Sequence, residues 1–238
     1  MKKLNLMKIA LSLVLPGLVT LNCAAGVANS AHDWSTESWN SGKDLCGPCH
    51  MAHGSDPANQ YIPLWSHQTD TANFTPFVSP HGTTINQPDG PSRACLSCHD
   101  GTLAYNQLKG VTVGPEQKVM GDYVIGGNHD LRGDHPVSFS YNEAINKSPT
   151  NSLKLATETL TTTLTPGNNL VGLQVQDAFL RNGNVQCTSC HDVHRARGDS
   201  GLNSDKPINT TGHNPLLLVS GLAQDGTGSG LCRSCHNK

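Results

Sequence analysis

Cys187-Thr-Ser-Cys190-His191-Asp-Val-His194 decides how the whole chain is read. Its first five residues form CxxCH, the pattern of c-type haem attachment, in which two thiols add across the haem vinyl groups and the adjacent imidazole reaches the iron. The pattern recurs as Cys46-Gly-Pro-Cys49-His50, Cys95-Leu-Ser-Cys98-His99 and Cys232-Arg-Ser-Cys235-His236, so eight of the nine cysteines lie inside it. Four covalent haem c groups are therefore expected on Cys46, Cys49, Cys95, Cys98, Cys187, Cys190, Cys232 and Cys235. His50, His99, His191 and His236 are the expected proximal iron ligands.

The last residue of the octet adds geometry. In a helical attachment segment, His191 and His194 are i, i+3 neighbours on one face, whereas the two axial positions of one iron lie on opposite porphyrin faces. His194 is thus expected to serve a different iron from His191. Cys46 to His53 repeats the arrangement, with His53 in the extra position. A fold in which one haem's peptide supplies another haem's ligand packs its haems closely, and closely packed haems pass electrons.

Two other cysteine chemistries fit less well. Cys-Gly-Pro-Cys is also a thioredoxin-type redox motif, but Ser41-Gly-Lys-Asp-Leu45 is not the apolar strand that should precede it. Paired CxxC motifs also build structural zinc sites, which leaves unexplained why a histidine follows all four pairs.

The second axial ligand separates a wire from an enzyme. Methionine would raise the potential, yet Met1 and Met7 fall in the leader, Met51 adjoins His50, and only Met120 remains for four irons. Histidine is plentiful: of twelve, eight lie outside the four proximal positions. Bis-histidine coordination is expected throughout, with His53, His194, His135 and His32 as distal ligands and His67 as a further candidate. Pro136 biases His135 towards extended geometry, and Val137 and Phe139 can dock that segment on an apolar face. His67 follows the apolar stretch Tyr61-Ile-Pro-Leu-Trp. His81, in a Pro/Gly turn, and His129 read as surface residues, and His213 precedes a short apolar run. Saturated irons leave no place for a substrate, and no nucleophile or carboxylate constellation appears. Electron transfer is expected rather than enzymatic activity; the enzymatic alternative is a haem subunit of a reductase with one five-coordinate iron.

Composition agrees. Only 36% of the 238 residues are hydrophobic and 5% aromatic, with 24 glycines and 14 prolines, so a conventional side-chain core looks poorly supplied. The expected fold is a multihaem cytochrome c, mostly coil, with short helices at the CxxCH motifs and a few short strands, wrapped around a stack of four haems. Residues 1–31 read as a signal peptide, with Lys2, Lys3 and Lys8 before an apolar run and cleavage near Ala28 or Ala31. Cys23 is removed with it. Without those lysines, 13 basic residues face 18 acidic ones, a formal −5. No transmembrane segment is expected in the mature chain, and nucleic acid is a poor partner.

The motifs' first cysteines, 46, 95, 187 and 232, make two close pairs, and the first member of each pair carries the extra histidine. Residues 32–238 form the tetrahaem domain, read as two dihaem halves (32–110 and 175–238) joined by a coil and strand insert. Within the insert, Gly121-Asp-Tyr-Val-Ile-Gly-Gly and Leu160-Thr-Thr-Thr-Leu-Thr look strand-like.

In this order the motifs resemble the OmcE-type tetrahaem cytochromes of metal-reducing bacteria, in the doubled-CxxCH group. The likeness runs from about Ser30 to Lys238. It rests on Ser30-Ala-His32-Asp-Trp, Cys46 to His53, Pro63-Leu-Trp-Ser-His67, Cys95-Leu-Ser-Cys98-His99-Asp-Gly-Thr, Asp134-His135-Pro-Val-Ser-Phe, Cys187 to His194 and Leu231 to Lys238. Asn142 to Asn184 and His81, His129 and His213 have no counterpart. The resemblance implies a secreted, extracellular or cell-surface cytochrome that polymerises head to tail into a conductive filament. It also implies that His53 is donated to a haem of the adjacent copy, and that other redox proteins or extracellular acceptors are the partners. The rival expectation is a soluble periplasmic electron shuttle with every ligand internal.

Overall fold

A computed structural model describes residues 27–28, 30–51, 53, 62–108, 110–161, 170–194, 218 and 230–237. Residues 1–26 of the leader, with Cys23, the stretch 162–165 and His213 lie outside the described residues. Regular structure is sparse, in keeping with a chain rich in glycine, proline and asparagine. Helix α1 is Gly90–His99, α2 Tyr141–Lys147, α3 Val175–Phe179 and α4 Gly230–Arg233; single 3-10 turns form at Gly121–Tyr123, Gly127–His129 and Cys187–Ser189. Two antiparallel two-stranded ladders accompany them. Strand β1 (Gln107–Leu108) pairs with β2 (Val111–Thr112), and β3 (Phe139–Ser140) with β4 (Asn184–Val185). No helix among the described residues is long and apolar enough to cross a membrane.

Of the four motifs, only the second lies wholly in an α-helix. The third is a 3-10 turn and the first a run of turns, a departure from the helical expectation for the octet. Helix α1 carries Pro91 in its first turn, where its fixed φ suits the helix. The Asp89 side chain does not cap it. Gln186, from just before the third motif, does so instead: its Oε1 accepts from Ser92 N at 3.3 Å and from Ser92 Oγ, and its Nε2 donates to Asp89 Oδ1 at 2.7 Å. Cys187 N then donates to Ser92 Oγ at 3.0 Å. Ser92, Ala94 and Ser97 are at most 1% exposed, and their small side chains let the third motif lie directly on this helix.

The apolar residues concentrate where the sequence reads as an insert. Phe139, Tyr141, Ala144, Leu160, Leu170, Val175, Phe179 and Val185 form one buried cluster, joined by Leu218 from near the C-terminus. Val175 is 0% and Phe179 2% exposed, and side chains of this size contribute roughly 1.5–3 kcal/mol each when fully buried. The chain therefore has a side-chain core after all, built from α2, α3 and the β3–β4 pair. Ser140 starts α2 by accepting from Glu143 N. The segment from Gly121 is not a strand. Gly121 and Gly126 both adopt left-handed φ of 65°, which turns the chain back after a single 3-10 turn. Phe74, Leu96 and Leu131 make a second, smaller cluster against α1.

Candidate functional site

Each motif is held by a backbone hydrogen bond to a residue distant in sequence, at or beside its histidine. In the first, His50 bridges to Trp65, Met51 N donates to Leu64 O at 2.8 Å and Ser66 N to Cys49 O at 3.0 Å. In the second, Ile125 N donates to His99 O at 2.7 Å. In the third, Leu218 N donates to Cys190 O at 2.8 Å, and in the fourth Lys154 N donates to Cys235 O at 2.8 Å while His236 bridges to Leu153. Within the first, third and fourth motifs the histidine N–H closes onto the first cysteine carbonyl, at 2.8, 3.0 and 2.8 Å. One helical turn thus sets both thiols and the imidazole against a common neighbour.

The clamps also orient two rings. His50 Nδ1 lies 2.7 Å from Pro63 O and His99 Nδ1 lies 3.0 Å from Tyr123 O. A ring nitrogen facing a carbonyl carries the proton, which leaves Nε2 as the lone-pair donor for a metal.

Two of the expected distal ligands stand opposite motif histidines. His194 faces His50 with ring centroids 5.9 Å apart, and His32 faces His99, also at 5.9 Å. A metal–nitrogen bond of ~2 Å on each side, plus ~1 Å from nitrogen to ring centre, places two trans imidazoles about 6 Å apart. Ordinary aromatic pairs span 4.5–7 Å as well, so distance alone does not discriminate. The choice of partners does: each pair couples a CxxCH histidine to an imidazole from a different part of the chain. His32 is delivered by a turn in which its N–H donates to Ser30 Oγ at 3.1 Å. Its Nδ1 is buried with no hydrogen-bond partner. Burial, helped by the charges of His99 and His191, holds its pKa down to about 4, so the ring is neutral and able to ligate at pH 7.

His67 is 3% exposed and neither ring nitrogen makes a hydrogen bond. Burial lowers its pKa, and the nearby backbone of Gln107 and Pro48 only tempers that. Its ring neighbours are Trp34 and Trp65. Trp34 in turn stacks on Tyr105 at 5.3 Å and meets Trp39. Trp34, Trp39, Trp65, Tyr105 and His67 thus form one aromatic patch. His135 is exposed with Nδ1 3.0 Å from Pro136 O, and neighbouring Asp134 lies close enough to Cys187 to act on its thiol. His53 and His81 are exposed. His129 is not the free surface residue its sequence neighbourhood implies: its ring packs edge-on against Phe74 at 4.9 Å and Nε2 lies 3.1 Å from Asp70 Oδ2. No pattern in sequence joins Asp70 to His129.

Cys46 and Cys232 are exposed and the other six motif cysteines are half-buried. Burial pushes the thiols of Cys49 and Cys235 up to about 11 and those of Cys98 and Cys190 up to about 12, with neighbouring thiols adding to the effect. Cys95 and Cys187 hydrogen-bond to one another, which keeps the proton on Cys95. Thiolate chemistry calls for pKa values moved the other way, as happens at Cys187, where the bond from Cys95 lowers it. A neutral thioether is at home at the raised positions. Among the described residues, the group of three metal-type ligands contains no cysteine. The four cysteine pairs, the Nδ1-anchored rings of His50 and His99 and the two imidazole pairs all fit covalent haem.

No family profile matches the chain, and no curated protein sequence does either.

Proposed function

We propose that this chain is a tetrahaem c-type cytochrome, secreted to the cell surface, that carries electrons through bis-histidine haems and assembles head to tail into an extracellular filament. The observation that carries the reading is the coupling of His50 to His194 and of His99 to His32, each at 5.9 Å, in a chain with four CxxCH motifs. When bound, haem c supplies a one-electron carrier that needs no substrate to enter. The cysteines would tether it and His50, His99, His191 and His236 would ligate it, with Pro63 O and Tyr123 O orienting the rings of His50 and His99. His194 and His32 would serve as second ligands at two sites, with His135, exposed beside Asp134, available for a further one. The third motif interlocks the set, since it lies on α1 and sends His194 to the first.

The filament rests on His53 and on the resemblance to OmcE-type cytochromes. His53 is exposed, the position required of a ligand given to another copy. A heterologous contact of this kind produces open fibres when its rotation does not close. The test is negative-stain electron microscopy of secreted material, beside pyridine haemochrome analysis. Four haems per chain and fibres are expected, with His53→Ala keeping four haems but yielding monomers. Fewer than four haems overturns the cytochrome reading. Monomeric wild-type protein with four low-spin haems overturns the filament alone and identifies a soluble shuttle.

A further inference from the structure

On the flank of α1 lies a second ligand set that the haem chemistry does not use. Asp100, the residue capping the C-terminus of this helix, has a side chain that is 0% exposed. Its Oδ1 is occupied, accepting from Thr102 N at 2.8 Å and Thr102 Oγ1 at 2.7 Å. Its Oδ2 is buried without a hydrogen-bond partner, and it points at His129 Nε2, 3.5 Å away. Asp70 repeats the design. Its Oδ1 accepts from Ala72 N at 2.8 Å, and its Oδ2 lies 3.1 Å from the same His129 nitrogen. One oxygen of each carboxylate is tied to the chain and the other is turned inward, with the imidazole between them.

An orphaned carboxylate oxygen in a dry place is costly unless a cation neutralises it. An imidazolium at His129 would serve one carboxylate with one proton, but two inward oxygens and one nitrogen lone pair are a metal's donor set. The three donor atoms all lie within 4.8 Å of one another. Tetrahedral coordination at 2.0–2.1 Å gives donor separations of ~3.3 Å, which the 3.1 and 3.5 Å contacts bracket. The nitrogen selects the ion: imidazole suits first-row transition metals, whereas calcium and magnesium take oxygen alone. His129 is 31% exposed on its side chain, which leaves an approach for the ion and for a water as fourth ligand. Both neighbouring backbones hold the arrangement. Thr75 N donates to His129 O at 2.7 Å, and His129 is kept at a left-handed φ of 58°, a strained state that persists only where its surroundings fix it.

We propose that Asp70, Asp100 and His129 bind one divalent transition-metal ion, with zinc as the probe ion, through two carboxylate oxygens and one imidazole nitrogen. The site stands independently of the haem assignment, because none of its three ligands is a haem ligand. Its charge would sit one residue from His99 and raise the potential of that site's iron.

The test uses the intact cytochrome, stripped with chelator, dialysed against Zn2+ and assayed by elemental analysis and zinc-edge absorption spectroscopy, which iron does not obscure. One zinc per chain with nitrogen and oxygen neighbours at ~2.0 Å is expected, unaffected by excess Ca2+. Asp70→Asn preserves shape and the Ala72 contact, and should weaken zinc binding at least 100-fold. His129→Ala should do the same, and in both variants the haem content and Soret band should match wild type. The proposal is overturned if wild type takes up no zinc, or if Asp70→Asn and His129→Ala hold zinc as tightly as wild type, which would assign the metal to exposed imidazoles such as His81. A coordination shell containing sulfur also overturns it.

Discussion

His32 gives the sharpest quantitative test, because its burial makes a definite prediction about acid. Its native pKa is about 4 against 6.5 for a free imidazole, so the folded chain keeps the ring neutral while the unfolded chain protonates it. The contribution to stability is whole above pH 6.5 and falls as pH drops towards 4, after which both states are protonated and no more is lost. At ~1.4 kcal/mol per tenfold in affinity for the proton, the gap amounts to about 3 kcal/mol. Other groups also titrate over this range, and comparison with His32→Asn removes them. Urea unfolding at pH 7.5 and pH 4, followed by circular dichroism, should show wild type losing about 3 kcal/mol more than the variant. Parallel losses in the two proteins would refute the reasoning, since they would mean that His32 is as open to water in the native state as in the unfolded one.

His194→Ala should retain four haems but convert about one quarter of the low-spin signal to high-spin, measured by magnetic circular dichroism. An unchanged spectrum would remove His194 from the His50 site. Gln186→Ala withdraws the cap on Ser92 and the bond to Asp89 in a buried place, which should cost about 2–3 kcal/mol, read as a lower urea midpoint at constant slope. Phe179→Ala should cost about 3–5 kcal/mol in the same assay, whereas a loss below 1 kcal/mol would show that the haems alone carry the core. Tyr141→Phe forfeits the hydroxyl bonds to Lys154 O at 3.0 Å and Cys235 O at 3.3 Å. It should loosen the fourth motif's clamp, with amide exchange at Lys154 rising more than at α1.

The sequence carries the chemistry more legibly than the architecture. CxxCH is a local pattern, so four motifs identify themselves, and the three-residue gap between His191 and His194 already argues that the latter serves another centre. Nothing local says that this centre is the one at His50, since the juxtaposition is made by the packing of the third motif on α1 through Gln186. The core around Phe179 escaped notice because a chain-wide average of 36% hydrophobic residues hides their concentration between 139 and 185. Tyr141–Lys147 and Val175–Phe179 are too short for a helical period to stand out. The partners of His129 are hidden for a similar reason: Asp70 and Asp100 come from a loop and a helix end, joined by Asp70 N donating to Ser97 Oγ and by the parallel bridge between Thr75 and Asp130.

The third motif's position has a consequence for how the molecule is made. Synthesis from the N-terminus presents Cys46 to His50 long before His194, and the seat on Ser92 stays vacant until Gln186 has followed. The early part of the chain must wait, half-dressed, for the late part. Cofactor loading and final closure are thereby separated in time, and a truncation that removes the last fifty or so residues should leave the first attachment site filled on one side only, a folding dependence in keeping with late-arriving long-range contacts.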